Sequence, residues 1–304
     1  MLTLKTKLKG LLEILASASE YADLPSRPGE QKSIERLVHH QRFSVEKKVR
    51  YDDPHVKANA LLQCHFSRRT VEGDLAADQR EILLPAHRLL LALIDVISSN
   101  GWLTLALNAM ELSQMVTQGM WDRDSVLLQL PHFTEELARR CQENEGKAIE
   151  TIFDLAEMST HEMQDLLQLP SSQLQDIVGF LRRFPNIDMA FQVLEGDGGS
   201  VTVQVTLERE MADLLQSEAG PVHAPRFPKP KEEGWWLVIG DRSTDQLLAI
   251  KRVKLQKRAR VKLEFAAPAE AGRKDYKVYL MSDSYLGCDQ EYEFAVDVKD
   301  AGGD

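Results

Sequence analysis

Cysteine is scarce in these 304 residues: Cys64, Cys141 and Cys288 stand alone, odd in number, and no two form a Cys-x-x-Cys pair. A structural zinc site is therefore not expected, and a reducing compartment fits the chain. Long apolar runs are also missing. The longest, Leu89–Ile94, stops at Asp95, far short of the ~20 residues that span a bilayer, so no membrane segment is expected. Positive charge is in deficit. A formal net charge of −10 argues against a dedicated nucleic-acid binder, while leaving room for a local basic surface. Neither Gly-x-x-x-x-Gly-Lys-Ser/Thr nor Gly-x-Ser-x-Gly occurs, and no repeat is visible. The phosphate cradle of a P-loop ATPase and the elbow of a serine hydrolase are thus both missing. The Gly-rich stretch Glu195–Gly199 opens no helix and reads as a hairpin turn. His39-His40 has no Cys, Asp or Glu at ligand spacing, and Asp23, Asp74 and Asp165 have no partner legible in the sequence. No enzyme is expected in this chain alone.

What is present is helical for the first 186 residues. Leu4, Leu8, Leu11, Leu12 and Leu15 follow helical spacing, and Glu13 breaks the apolar run. Residues 5–20 therefore read as an amphipathic helix and not a signal peptide. Asp53-Pro54 starts a helix that runs to about Arg69, with Asp53 as N-cap and Pro54 at the first helical position. Ile82–Ser99 is apolar on nearly every face, which predicts a helix buried on most of its circumference. Asp78 with Glu81 offers it a capping box, Pro85 is expected to kink it, and Asn100-Gly101 ends it. Trp102–Trp121 follows as a second long helix, and the pair forms the centre of a bundle. Helices then start at Thr134 and Ser159, the latter with Glu162 as a capping box. Pro170-Ser171-Ser172 turns the chain into a last helix with Leu174, Ile177, Val178 and Leu181 on one face. The serines and nearby Asp165 and Asp176 suit a structural hairpin better than a phosphate clamp.

From Ile187 the period changes to two. Val201, Val203, Val205 and Leu207 alternate with polar residues, as do Tyr292, Phe294, Val296 and Val298. About seven short strands, with a Pro-rich crossing loop over 208–233, match the count of an immunoglobulin-like sandwich. The fold class is α then β. It comprises a helical bundle over 1–130, a helical hairpin (helix-loop-helix) unit over 131–186, an immunoglobulin- or fibronectin-III-like β-sandwich over 187–299, and a frayed tail at 300–304.

Two surfaces are candidates for binding. Asn108, Glu111, Gln114 and Gln118 give Trp102–Trp121 a polar edge that could face RNA. That helix carries no Lys or Arg, whereas a helix tracking a phosphate backbone needs cations. Arg252, Lys254, Arg258, Arg260 and Lys262 alternate with apolar residues, so on strands all five point away from the core, toward solvent, an acidic partner or RNA. The adjacent Trp235 and Trp236 must face opposite sides of a strand. One is expected in the core, and the other against the crossing loop, another domain or a partner.

Six strings, Asp53-Pro-His-Val-Lys57, Ser98-Ser-Asn-Gly-Trp102, Ala109-Met-Glu-Leu112, Leu130-Pro-His-Phe133, Glu233-Gly-Trp-Trp236 and Gly287-Cys-Asp-Gln-Glu-Tyr292, lie in a chain ordered bundle, hairpin, sandwich. Together they resemble the Sec sixty-three homology module of the Ski-two-like, tandem-cassette spliceosomal RNA helicases, over nearly the whole chain. The resemblance implies a nuclear module with Met1–Leu4 at a cut point, which holds no cofactor itself. ATP and Mg would be bound by helicase domains upstream. It further implies that the bundle corresponds to a ratchet domain, with Trp102–Trp121 as its strand-tracking helix. Two roles follow from it. One is a non-catalytic C-terminal brace and protein-binding platform, whose partners are the upstream helicase domains and other spliceosomal proteins, with RNA contact weak or indirect. The other is an RNA-guiding part of an active cassette, or the same module in a transcription or repair helicase.

Overall fold

The computed structural model describes residues 2–45, 49–195, 199–211 and 219–298. The tip of the expected hairpin turn at 196–198, part of the crossing loop, Met1 and the tail at 300–304 lie outside the described residues. The described chain is helical up to Arg183 and then forms two antiparallel sheets. It divides into two compact units, one comprising residues up to Asp122 with Ala224–Pro230, the other Arg123–His223 with Lys231 onward.

The first unit contains α1 (Leu8–Ala16), α2 (Gln31–His39), α3 (Pro54–Phe66), α4 (Gly73–Ser99) and α5 (Leu103–Gln118). Helix α1 is shorter than its leucine spacing suggested. Leu4 precedes it and is exposed, whereas Leu11, Leu12 and Leu15 are buried. The α3 start follows its sequence signals: the Asp53 carboxylate accepts from the His55 backbone N–H at 2.8 Å, with Pro54 at the first helical position.

Helix α4 departs from expectation at both its start and its faces. It begins at Gly73 and continues through Pro85 as one 27-residue element. Pro85 has no N–H to offer the carbonyl of Glu81, but Glu81 is exposed, where water can take over. Asp78 is no cap. It is buried at 4% exposure, 2.6 Å from both Arg27 and Lys57, and Lys57 also reaches Glu30 at 2.8 Å. By length and composition α4 could cross a membrane, a property that its short uninterrupted run conceals. In the fold only one stripe is buried, through Ile82, Ala86, Leu90, Ile94 and Ile97. Leu89 and Leu93 are half-buried and Val96 is exposed, so the helix is not enclosed on most of its circumference as its composition suggested. A helix on the outside of a bundle has one inward face whatever its other residues are.

Gly101 takes the left-handed conformation after α4, as the Asn-Gly pair implied. Gly119 does the same after α5, and there space also demands glycine: an added Cβ would lie 3.0 Å from the His65 ring and 3.1 Å from the Arg226 side chain. His65 is buried, and its Nε2–H donates to the Val116 carbonyl at 2.7 Å. Burial holds this imidazole neutral, with its pKa down at about 4; the Arg226 and Arg68 cations act in the same direction and the Val116 bond opposes them. The folded pKa is below the unfolded one, so the unfolded chain takes up the proton first. Stability is complete above pH ~6.5 and falls as pH drops toward ~4, by about 3 kcal/mol in all. In His65→Gln, which keeps an N–H for Val116, the loss between pH 7.5 and 4.5 in urea-unfolding free energy should be smaller by about that amount. Parallel pH profiles for the two proteins would show that His65 does not titrate this way.

The second unit contains α6 (Glu135–Gln142), α7 (Ile152–Ala156), α8 (Thr160–Leu167), α9 (Ser171–Arg183) and strands β1 (Ile187–Glu195), β2 (Ser200–Arg209), β3 (Trp235–Asp241), β4 (Gln246–Val253), β5 (Arg258–Ala266), β6 (Gly272–Ser282) and β7 (Gln290–Val298). Thr134 caps α6, and the Ser159–Glu162 capping box is formed at α8. A second box, Thr151 with Asp154, starts α7. The boundary expected at 186–187 lies inside this unit. Phe180 and Phe184 of α9 pack their rings against Tyr285, in the loop after β6. The Gln129 amide makes paired bonds, at 2.8 Å each, with the backbone N–H and carbonyl of Leu286.

One sheet has the order β1-β2-β5, the other β4-β3-β6-β7, and every pairing is antiparallel. Val201, Val203, Val205 and Leu207 are all buried, as their alternation required. Phe265 of β5 meets Tyr276 of β6 at 5.1 Å between ring centroids, so the face of β6 that carries Tyr276 looks toward the other sheet.

Candidate interaction surfaces

The polar edge of α5 is only partly available. Asn108 and Glu111 are half-buried, while Gln114 and Gln118 are buried at 2% and 3% exposure. Every residue from 112 to 118 is buried. The expectation that all four face RNA therefore fails for the last two, because this end of the helix is enclosed. Around it the His65 ring holds the Val116 carbonyl, Arg68 donates to the Gly119 carbonyl at 2.9 Å, and Ser113 bonds His87 of α4 at 3.0 Å. Burial, and the nearby Asp122 carboxylate, push the Glu111 pKa up.

The five basic residues of the sandwich are all exposed, in keeping with the alternation. They do not form one surface. Arg252 belongs to β4 of the four-stranded sheet, Lys254 to the connection after it, and Arg258, Arg260 and Lys262 to β5 of the three-stranded sheet. Alternation places side chains relative to one strand and carries no information about which sheet that strand joins. Arg252 lies over the Trp236 ring, 4.3 Å from its centroid, and donates to the Asp283 carboxylate at 2.8 Å. Lys254 stands 3.7 Å from Glu232.

Trp235 and Trp236 are both buried, at 0% and 2% exposure, so neither is an outward partner contact. They do point to opposite faces. Trp235 shares the face of Ser282 and Leu280, the one directed at the other sheet; Trp236 lies across from Arg252 and Met281 on the far face. Strand β3 is interior to its sheet and buried at every residue, so both faces are covered.

Around these rings lies a polar cluster that single residues in the sequence did not disclose. Asp283 is buried and pairs with Lys231 at 2.9 Å, and it also accepts from the Gly234 N–H at 3.0 Å. Glu233 pairs with Arg209 and accepts from the Trp235 indole N–H at 2.8 Å. Burial lowers the Lys231 pKa against the pull of Asp283, and raises that of Glu233 against Arg209. The Glu233-Gly-Trp-Trp236 string is thus a structural core in which each polar group is matched. Gly234 admits no side chain, since a Cβ there would meet Asp283 at 2.5 Å. Among the described residues no group of three or more His, Cys, Asp or Glu side chains could hold a metal ion.

The described chain thus sets a helical region ahead of two antiparallel sheets. Residues 1–295 match the model of the Sec63 Brl domain, and the chain belongs to that family. It is 62% identical over 306 residues to the DExH-box ATP-dependent RNA helicase DExH12 of Arabidopsis thaliana. It is 48% identical over 307 residues to the U5 small nuclear ribonucleoprotein 200 kDa helicase of Homo sapiens, and 41% identical over 298 residues to the activating signal cointegrator 1 complex subunit 3-like protein of Dictyostelium discoideum. These alignments cover 99%, 100% and 95% of this chain, but only 14%, 14% and 13% of the relatives. The chain thus spans about a seventh of their length.

Proposed function

We propose that this chain is a non-catalytic C-terminal module of a spliceosomal ATP-dependent RNA helicase, which braces the helicase cassette and offers a protein-binding surface during pre-mRNA splicing in the nucleus. ATP and Mg belong, in this reading, to helicase domains outside the chain, and the sandwich is of the immunoglobulin or fibronectin-III kind. Similarity over the full chain to helicases of which it spans 14% supports its place in a larger protein. The half-buried Leu89 and Leu93 and the exposed Val96 on α4 give a brace an apolar flank to use.

What carries the reading is α5. The helix that an RNA-guiding module would lay along a strand offers no cation and encloses its last two turns. Non-specific affinity for nucleic acid comes from neutralised phosphates. The purified chain should therefore bind single-stranded RNA at physiological salt no tighter than ~10⁻⁴–10⁻⁶ M, and should show no RNA-stimulated ATP hydrolysis. Submicromolar binding that is lost in Asn108→Ala would favour the RNA-guiding role instead.

A further inference from the structure

In the second unit a cleft of about 640 Å³ lies beside strands β4 and β5, lined by Ile250 and Lys251 of β4 and by Lys262, Leu263 and Glu264 of β5, and it extends past β5 to Thr202 of β2 and Leu194 of β1. The two strands belong to different sheets. Among the described residues each is hydrogen-bonded to a neighbour on one side only, β4 to β3 and β5 to β2. Two free edges thus border the cleft, and a free edge is a template for another strand.

Cations gather along the same border. Lys251, Arg258, Arg260 and Lys262 are exposed and have no ion-pair partner among the described residues, whereas Arg209, Lys231, Arg252, Lys274 and Lys277 of the same sandwich each meet a carboxylate. In a chain of net charge −10, a run of unpaired cations along one edge is a local reversal of sign. Arg258, Arg260 and Lys262 recur at every second residue, about 7 Å apart on one side of the strand. That is also the spacing of alternate side chains in an extended peptide.

We infer that this edge binds an acidic peptide segment in extended conformation, which adds as a strand to β5. Its backbone would complete the β5 ladder, its acidic side chains would meet Lys262, Arg260 and Arg258, and aliphatic side chains between them would enter the cleft over Ile250 and Leu263. Glu264, at the end of the basic run, sets the limit of the acidic stretch and disfavours a carboxylate opposite it. Single-stranded RNA is the poorer fit, because none of the cleft-lining residues is aromatic and base stacking has no platform. The inference rests on the reading of the chain as a protein-binding module, and adds to it a place and a partner chemistry.

The test uses the whole chain and a fluorescent peptide alternating Glu and Val over nine residues. Saturable binding is expected, weakening as salt rises, with the backbone amides of β5 gaining protection from hydrogen exchange. Reversing three exposed charges, Lys251→Glu, Arg260→Glu and Lys262→Glu, should weaken it by about tenfold or more and create binding of the Lys-Val counterpart. A version of the peptide with proline at alternate positions, which has no N–H there to give the edge, should not bind even to the unaltered chain. No binding at millimolar peptide would overturn the inference. So would equal binding of the proline peptide, protection elsewhere than β5, tighter binding of oligouridylate at the same residues, or self-association of the chain through this edge. The RNA-binding and ATPase measurements do not depend on the cleft. If the peptide fails while they come out as expected, the cleft assignment falls and the wider reading stands.

Discussion

Trp235→Ala and Trp236→Ala should each lower the unfolding free energy of the chain by ~3–5 kcal/mol, the range for truncating a buried aromatic side chain. The two losses should be comparable although the rings lie on opposite faces of one strand. Strand β3 runs between β4 and β6 and is buried at all seven residues, so neither indole has water to move into. Trp235 fills the space between the sheets and donates its indole N–H to Glu233. Trp236 is roofed by the Arg252 guanidinium, itself held by Asp283. Urea denaturation of the two variants measures the pair directly. A near-neutral Trp236→Ala beside a costly Trp235→Ala would mean that the far face of the sheet is open, and would restore Trp236 as a contact for partners.

Asp283→Ala is the second substitution with a large expected effect, ~3–5 kcal/mol, because it leaves a buried charge without its counter-ion. The Lys231 ammonium, itself buried, would retain the Ser284 hydroxyl and the Glu232 carbonyl, both neutral. Arg252 would lose the carboxylate that holds it over Trp236, and the Gly234 N–H would lose its acceptor. Removing both charges is a different perturbation: the double variant Lys231→Met with Asp283→Ala should recover a substantial part of the loss, since a buried pair replaced by apolar groups is often close to neutral. Thermal unfolding of the single and double variants reads this as a coupling. If the double variant is as unstable as the sum of both singles, the cluster does not act through the Lys231–Asp283 pair, and the Gly234 and Ser284 bonds carry the weight of Asp283.

Much of the architecture was legible because it is written in local periods. The change from helical spacing to alternation near Ile187 marks the start of β1, and Val201–Leu207 buries every second residue as an amphipathic strand must. Asp53, Thr134 and Ser159 cap the helices they precede, and Gly101 breaks the central pair. Each of these signals acts within about four residues, and nothing distant competes with it. The start of α4 was misjudged for the complementary reason. Asp78 has the spacing of a cap, but Arg27 and Lys57 claim it, and they stand 51 and 21 positions earlier in the chain.

The sequence by itself determined that the chain is helical and then sheet-forming, that Arg252, Lys254, Arg258, Arg260 and Lys262 face outward, and that α5 has no charge with which to hold phosphate. These follow from composition and from the geometry of a single helix or strand. Only the tertiary structure decided which of those groups remain at a surface. It enclosed Gln114 and Gln118, covered both faces of β3 over the two tryptophans, separated Arg252 from Arg258, Arg260 and Lys262 by placing them in different sheets, and left β4 and β5 with free edges beside one cleft. The reason is that burial and charge pairing are sums over neighbours brought together from across the chain, and a period read along one segment carries no information about what will be packed against it.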